Sequence, residues 1–285
     1  MLSARTAPDP LGEVLHALRV QGTFYCRSEL SAPWGLTMPA MPGDMWFHVG
    51  LSGGCVIEIE GHPPVALGAG ELVLVTRGVG HRLFDGPGVA CPAVEELPHV
   101  YEGQRYGVLR HGGGGAETVL VCGALRLDHH AAGALLAGLP PVMHVDGVSA
   151  VEAEWMRASV RLMAAEARGV LVGGETVVTR LADVLVVQAI RAWLERRDDA
   201  GWLGALRDPQ VGQAMAAVHR EPARRWTVAA LAAEAGASRS VFAAKFTARV
   251  GRPPMAYVDE VRMAVARDRL AAPGATVAEV AWSLG

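Results

Sequence analysis

Two stretches near the end of the chain match one another when one is slid by 49 residues: Thr227-Val-Ala-Ala-Leu-Ala-Ala-Glu-Ala-Gly236 and Thr276-Val-Ala-Glu-Val-Ala-Trp-Ser-Leu-Gly285. Each copy carries the start and stop signals of one short helix. Threonine is a good N-cap, because its hydroxyl accepts a hydrogen bond from a first-turn amide that has no partner in the helix. Glu279, three residues after Thr276, completes a capping box. A small residue, Ala232 or Ala281, precedes each closing glycine by four positions, where a second helix could approach closely. Gly236 and Gly285 then supply a turn that needs positive φ.

The segment after the first copy, Ser238-Arg-Ser-Val-Phe-Ala-Ala-Lys-Phe-Thr-Ala-Arg249, reads as a second helix with Ser238 as its N-cap. Phe242 and Phe246, at i and i+4, with Val250 beyond, would face inward and leave Arg239, Ser240, Ala243, Ala244 and Thr247 outward. Helix, short glycine turn and helix make a helix-turn-helix, whose second helix can enter the major groove. Gly251-Arg-Pro-Pro254 ends it, and Met255 to Leu270 forms a connecting helix toward the second copy. Alanine-rich helical hairpins that are only core look similar singly; the repeated unit favours a DNA reader.

Trp226-Thr-Val228, Ser238-Arg-Ser240, Phe242, Phe246, Gly251-Arg-Pro-Pro254, Tyr257, Arg262-Met263 and Val277-Ala-Glu-Val-Ala281 together resemble the DNA-binding domain of the AraC/XylS family of bacterial transcriptional regulators. The resemblance spans about Pro209 to Gly285 and implies two helix-turn-helices bridged by one helix, contacting promoter DNA, usually as a dimer. Where the family often carries a base-contacting arginine this chain has Ala244, with Ala243 beside it. Base readout then rests on Arg239 and Ser240, next to the Ser238 cap. Lys245, Arg249 and Arg252 are placed for phosphates, which fix position without reading sequence. The second unit reaches only its turn glycine, Gly285, so its recognition helix is expected to be missing.

Charge supports this division. The chain of 285 residues carries a net charge of −3, yet from Gly201 onward Lys and Arg number 11 against 7 Asp and Glu. A basic module thus follows an acidic body. The chain is 51% hydrophobic and 19% charged. It has no run of the ~18 apolar residues that a membrane span requires and no secretory signature in Met1 to Pro10, so a cytoplasmic address is expected. Cys26, Cys55, Cys91 and Cys122 form no CxxC pair and read as free thiols.

Before the helical region, residues 11–127 are rich in Gly, Pro and short alternating runs. Cys55, Ile57 and Ile59 alternate with Val56, Glu58 and Glu60, Val65-Ala-Leu67 follows, and Glu71-Leu-Val-Leu-Val75 is a further strand. His111-Gly-Gly-Gly-Gly-Ala116 is expected to be a flexible loop; without a following GK[ST] it is no phosphate loop. Between Ala150 and Arg197, Leu181, Val184, Leu185, Gln188, Ala189, Ala192 and Trp193 keep helical spacing, and Trp155, Val160 and Met163 lie on an earlier helix. Such an apolar face could also serve as a dimer seam.

Gly70, Gly78 and His81 stand in register with the second cupin motif, GxxxxxPxGxxHxxxN, with Thr76 for proline and Asp85 for asparagine. With Leu30-Ser-Ala-Pro-Trp-Gly-Leu36, this resembles the cupin-type sensor domain that precedes the DNA-binding domain in many such regulators, and it implies a small β-barrel open at one end. Metal cupins use two histidines and a carboxylate from the first motif plus the histidine of the second. Here His48 is present, but the second-histidine position is Gly50 and no carboxylate follows before Glu58. No metal or cofactor is therefore expected. Trp34, Trp46, His48 and His81 are the candidates to line a small-molecule site, with ordinary barrel filling as the alternative. His129-His130 lies near Cys122, without zinc-ligand spacing.

The expectation is an α+β chain: a cupin-like sensing or dimerisation domain with a helical subdomain over residues 10–197, a linker over 198–208, and a helix-turn-helix domain over 209–285. Its partners would be promoter DNA, an unidentified small-molecule effector and a second copy in a homodimer, with no membrane. No constellation of Ser, Cys or carboxylates suggests catalysis. The rivals are a metal-dependent cupin dioxygenase or isomerase with a helical appendage, and a partner-binding protein that does not bind DNA.

Overall fold

The computed structural model describes residues 19–101, 106–128, 136, 138–145, 150–168, 173–195 and 202–285. His129-His130 and the Asp198 to Gly201 start of the expected linker lie outside them. The chain divides into two compact units, one of Val20–Leu127 and Leu139–Trp193, the other holding Leu194–Gly285. Among the described residues no helix is long and apolar enough to cross a membrane.

The first unit is built on eleven described strands: β1 (Arg19–Ser31), β2 (Gly35–Met38), β3 (Asp44–Ser52), β4 (Gly54–Glu58), β5 (Val65–Gly68), β6 (Leu72–Val75), β7 (His81–Phe84), β8 (His99–Tyr101), β9 (Tyr106–Gly112), β10 (Glu117–Asp128) and β11 (Val142–Val145). They form a seven-stranded sheet, in the order β11-β6-β3-β10-β1-β9-β8, and a four-stranded sheet, β2-β7-β4-β5. Among the described residues, β3 with β6 and β10, β6 with β11, β7 with β2 and β4, β4 with β5, and β8 with β9 pair antiparallel, whereas β1 with β9 is parallel; β3 with β10 shifts register between Val119 and Leu120.

Residues of both sheets meet in one core that includes Cys26, Leu30, Trp34, Leu36, Trp46, Cys55, Ile57, Ile59, Val73, Leu83, Leu109 and Cys122. Period-two alternation sends Trp46 and His48 of β3 to that interior. The opposite face, Met45, Phe47 and Val49, is buried as well. There the strand meets α1 (Ala150–Arg168), whose Met156, Val160 and Met163 are buried. A strand covered on both sides reads as a continuous apolar run, as β3 does.

The expected helical stripes are displaced in part. On α1, Val160 and Met163 are buried but Trp155 faces solvent. On α2 (Gly174–Glu195) the buried row is Val178, Ala182, Leu185, Val186, Ala189, Ile190 and Ala192, so Leu185, Ala189 and Ala192 of the expected stripe are buried while Val184 is exposed. Helical spacing is common to both faces of so apolar a helix, so it could not show which face packs. The glycine loop also differs from expectation: it is pinned, not free. The amides of Gly113 and Gly115 donate to the carbonyls of Ser31 and Ala32, and that of Gly114 to Ser31 Oγ.

From Trp202 to Gly285 the described elements of the second unit are helices: α3 (Trp202–Arg207), α4 (Pro209–Arg220), α5 (Val228–Glu234), α6 (Arg239–Val250), α7 (Pro254–Leu270) and α8 (Val277–Leu284). Thus part of the segment read as a linker is helix α3, packed on α4. Thr227 accepts from the Ala230 amide to cap α5, and Thr276 with Glu279 forms the full capping box of α8. Gly236 takes φ +60 and Gly285 φ +88. Ser238 occupies the N-cap of α6 without a side-chain cap bond. The two copies differ at their small residues, since Ala232 is buried whereas Ala281 is exposed.

Candidate functional site

Phe242, Phe246 and Val250 place α6. All three are buried, the two phenyl rings lie 5.4 Å apart, and Phe246 meets Tyr257 of α7 edge-on at 5.6 Å. The Tyr257 hydroxyl lies 2.6 Å from His219 Nε2 on α4, so the core of the helix-turn-helix is tied to the preceding helix. Truncating either phenylalanine to alanine would cost about 3–5 kcal/mol by lost burial and cavity formation. With that face fixed, Ser240, Ala244 and Thr247 are exposed as a ridge of small side chains.

The residues read as DNA contacts fall into two groups. Ser238, Arg239, Ser240 and Ala244 are exposed, Ala243 is half-buried, and Arg239 has no carboxylate partner among the described residues. The three cations read as phosphate contacts are all held by carboxylates. Lys245 Nζ lies 2.9 Å from Asp208 Oδ1 and donates to Gln210 Oε1 at 2.9 Å; Arg249 Nε lies 3.7 Å from Asp208 Oδ2; Arg252 pairs with Glu260. Sequence could not show these pairs, because Asp208 and Gln210 are 37 and 35 residues from Lys245.

Arg262, quoted above only as part of a motif, has a structural task. Its guanidinium donates to the carbonyls of Pro222 at 3.0 Å, Arg224 at 2.9 Å and Gly285 at 3.5 Å, joining α7 to the turn before α5 and to the end of α8. Arg224 in turn lies over the Trp226 ring at 4.2 Å.

In the β unit, Trp46, His48 and His81 come together. The Trp46 and His48 rings stack at 6.2 Å, His81 stands edge-on to both, and the two Nε2 atoms are 2.7 Å apart. Burial drives the pKa of both imidazoles down, that of His81 to about 4, and for His48 the His81 charge adds to the effect. Both are therefore neutral near pH 7. His81 Nδ1 is 2.9 Å from the Val79 carbonyl, which can only accept, so Nδ1 carries the proton and Nε2 is a bare acceptor. His48 must then donate from Nε2. Its Nδ1 is left as a fully buried lone pair with no partner among the described residues.

Trp34 belongs to the same core, and its indole N–H is likewise buried without a partner among the described residues, while its backbone N–H donates to Asp85 Oδ1 at 3.0 Å. Asp85 and Thr76, the two departures from the cupin motif, thus both bond structurally: Thr76 Oγ1 donates to the Pro140 carbonyl at 2.6 Å. A cleft of about 570 Å³ is floored by Met38, Ile59 and His81 and rimmed by Glu58, Glu60, His62 and Arg82.

Gly50 explains why the metal set is incomplete. A Cβ there would overlap the carbonyl of Gly68, so no histidine can stand at the second-ligand position without moving β5. Among the described residues no three His, Cys, Asp or Glu side chains are grouped to hold a metal. The cysteines are free thiols; burial pushes Cys26 up to about 11, Cys55 to about 12 and Cys122 well above the ordinary value.

A cupin-like β unit and a helix-turn-helix unit in one chain define a two-domain DNA-binding regulator. Comparison with known proteins agrees: the cupin family profile matches residues 9–195 and a helix-turn-helix domain profile matches residues 231–285. A putative AraC-like transcription regulator of Streptomyces antibioticus is 32% identical over 284 residues, covering 97% of this chain and 90% of the relative. The HTH-type transcriptional regulator MtrA of Neisseria gonorrhoeae is 26% identical, with coverage of 97% and 90%. The crystal structure of ToxT from Vibrio cholerae aligns over 95% of this chain and 88% of its own, at 8% identity and a TM-score of 0.33. The chain belongs to the AraC-like transcription regulators.

Proposed function

We propose that this regulator reads promoter DNA with the N-terminal end of α6, through Arg239 and Ser240 flanked by Ser238, Ala243 and Ala244, and that Lys245, Arg249 and Arg252 supply phosphate contacts only at the promoter site itself, where they leave their carboxylates. The observation that carries the reading is Arg239: exposed, without a carboxylate partner among the described residues, and on a helix whose opposite face is locked by Phe242 and Phe246. A bidentate arginine contact to guanine is worth about 1–3 kcal/mol of base discrimination.

Trp34, Trp46, His48 and His81 contact a small effector. Two features support this: the His48 lone pair and the Trp34 N–H are buried polar groups with no partner among the described residues, and the cleft reaches His81, the one of the four that lines it. Effector control requires different affinity for the DNA-competent and incompetent states. The protein acts in the cytoplasm as a homodimer and is not an enzyme; the regulator names of its relatives support the last point.

Fluorescence anisotropy with the gene's own upstream region and a random duplex at matched salt tests the DNA reading. Binding to the upstream region should be tighter, and Arg239→Ala should lower that preference about 5- to 150-fold. Equal affinity for both duplexes refutes it.

A further inference from the structure

The three cations on or beside α6 that suit phosphate are already paired, and one carboxylate holds two of them. Asp208 stands at the N-cap of α4, where its Oδ1 accepts from the amides of Gln210 at 3.0 Å and Val211 at 3.1 Å. Its side chain is 7% exposed. From this fixed seat it faces Lys245 and Arg249, whose side chains are 34% and 52% exposed. Burial alone would raise the Asp208 pKa; hydrogen bonds from Lys245 and the two helix amides outweigh it and hold the pKa below the ordinary value, so the carboxylate is ionised near pH 7.

This geometry is asymmetric. The anion cannot follow its cations, because two backbone N–H groups anchor it and the helix N-terminus favours its charge. For Lys245 or Arg249 to reach a phosphate, the cation must leave Asp208, and the remaining negative charge then stands near the DNA backbone. Arg239 has no such carboxylate among the described residues.

We infer that Asp208 is a specificity-determining residue of the DNA-binding unit: by holding Lys245 and Arg249 from α4 it withholds two cations from sequence-independent phosphate contact, leaving selectivity to the Arg239 end of α6. The inference rests on the DNA-reading assignment above. Phosphate contacts supply essentially all non-specific affinity, so withholding them widens the gap between the right site and random DNA.

The test uses the full chain and a random-sequence duplex, with anisotropy titrations from about 50 to 200 mM salt, the range in which counterion release is read. Asp208→Asn keeps an N-cap acceptor while removing the charge. It should tighten binding about eightfold per released cation at 0.1 M salt and steepen the log K against log salt slope by about 0.9 for each. Lys245→Gln should change the slope little in the wild-type chain but remove one such increment in the Asp208→Asn background. An unchanged or shallower slope in Asp208→Asn overturns the inference. So does a Lys245→Gln effect of equal size in both backgrounds.

Should Asp208→Asn fail to fold, Lys245→Gln and Arg249→Gln in the wild-type chain decide. Slope losses near 0.9 each would mean that both cations already contact phosphate and would overturn the proposal; losses well below that support it. If the wild-type chain binds DNA with no salt dependence, the DNA-reading assignment fails first.

Discussion

Acidification should weaken the β unit well before carboxylates titrate. His81 is buried in the interior with a pKa near 4, while in the unfolded chain it returns to about 6.5. A histidine with a lowered folded pKa contributes fully above the unfolded value, and the contribution is lost as pH falls, because the unfolded state takes up the proton that the folded state refuses. Across 6.5 to 4 the linkage integral gives a loss of about 2 kcal/mol by pH 5 and about 3 kcal/mol by pH 4 for His81 alone. His48, shifted in the same direction, adds to it. Urea titrations between pH 7 and 5, read by hydrogen exchange of peptides from β3 and β7, measure the effect locally. The double variant His48→Asn, His81→Asn should lose most of this dependence. Flat urea midpoints in the wild-type chain, or an equal slope in the double variant, would refute the claim that both imidazoles are buried and neutral.

Three further outcomes follow from the geometry. Gly50→Ala, which would overlap the Gly68 carbonyl, should destabilise the β unit by about 1–3 kcal/mol or more in urea unfolding, against little effect for Gly86→Ala, where a Cβ meets nothing. Thr276→Ala, which removes the capping box of α8, should cost about 1 kcal/mol, seen as faster exchange of the α8 amides. Arg262→Ala leaves the carbonyls of Pro222 and Arg224 without their donor and should cost about 2–4 kcal/mol in thermal unfolding, whereas Arg239→Ala on the open surface should leave stability within about 0.5 kcal/mol.

The helix-turn-helix was more legible than the β unit because its signals are local. Thr227, Thr276, Glu279 and the turn glycines act within a few residues of themselves, and Phe242 with Phe246 declares one face by spacing alone. In the β unit, Cys55, Ile57 and Ile59 declared their strand, but the neighbours of that strand come from distant parts of the chain. The glycine run at 112–115 reads as flexible in the sequence because its hydrogen-bond partners, Ser31 and Ala32, lie about 80 residues earlier. Val184 and Trp155 looked like core for a related reason: period gives a face, not the side on which the sheet lies.

The sequence by itself determined that there are two kinds of unit, where the repeated helices α5 and α8 start and stop, and which glycine leaves the cupin ligand set incomplete. These follow from backbone capping, φ preference and residue type, all properties of a short stretch of chain. Only the tertiary structure decided that His48 donates to His81, that a Cβ at Gly50 would strike the Gly68 carbonyl, and that Asp208 holds Lys245 and Arg249. Each of these depends on groups brought within a few ångströms from positions 18 to 41 residues apart, a distance that packing sets and local propensity does not encode.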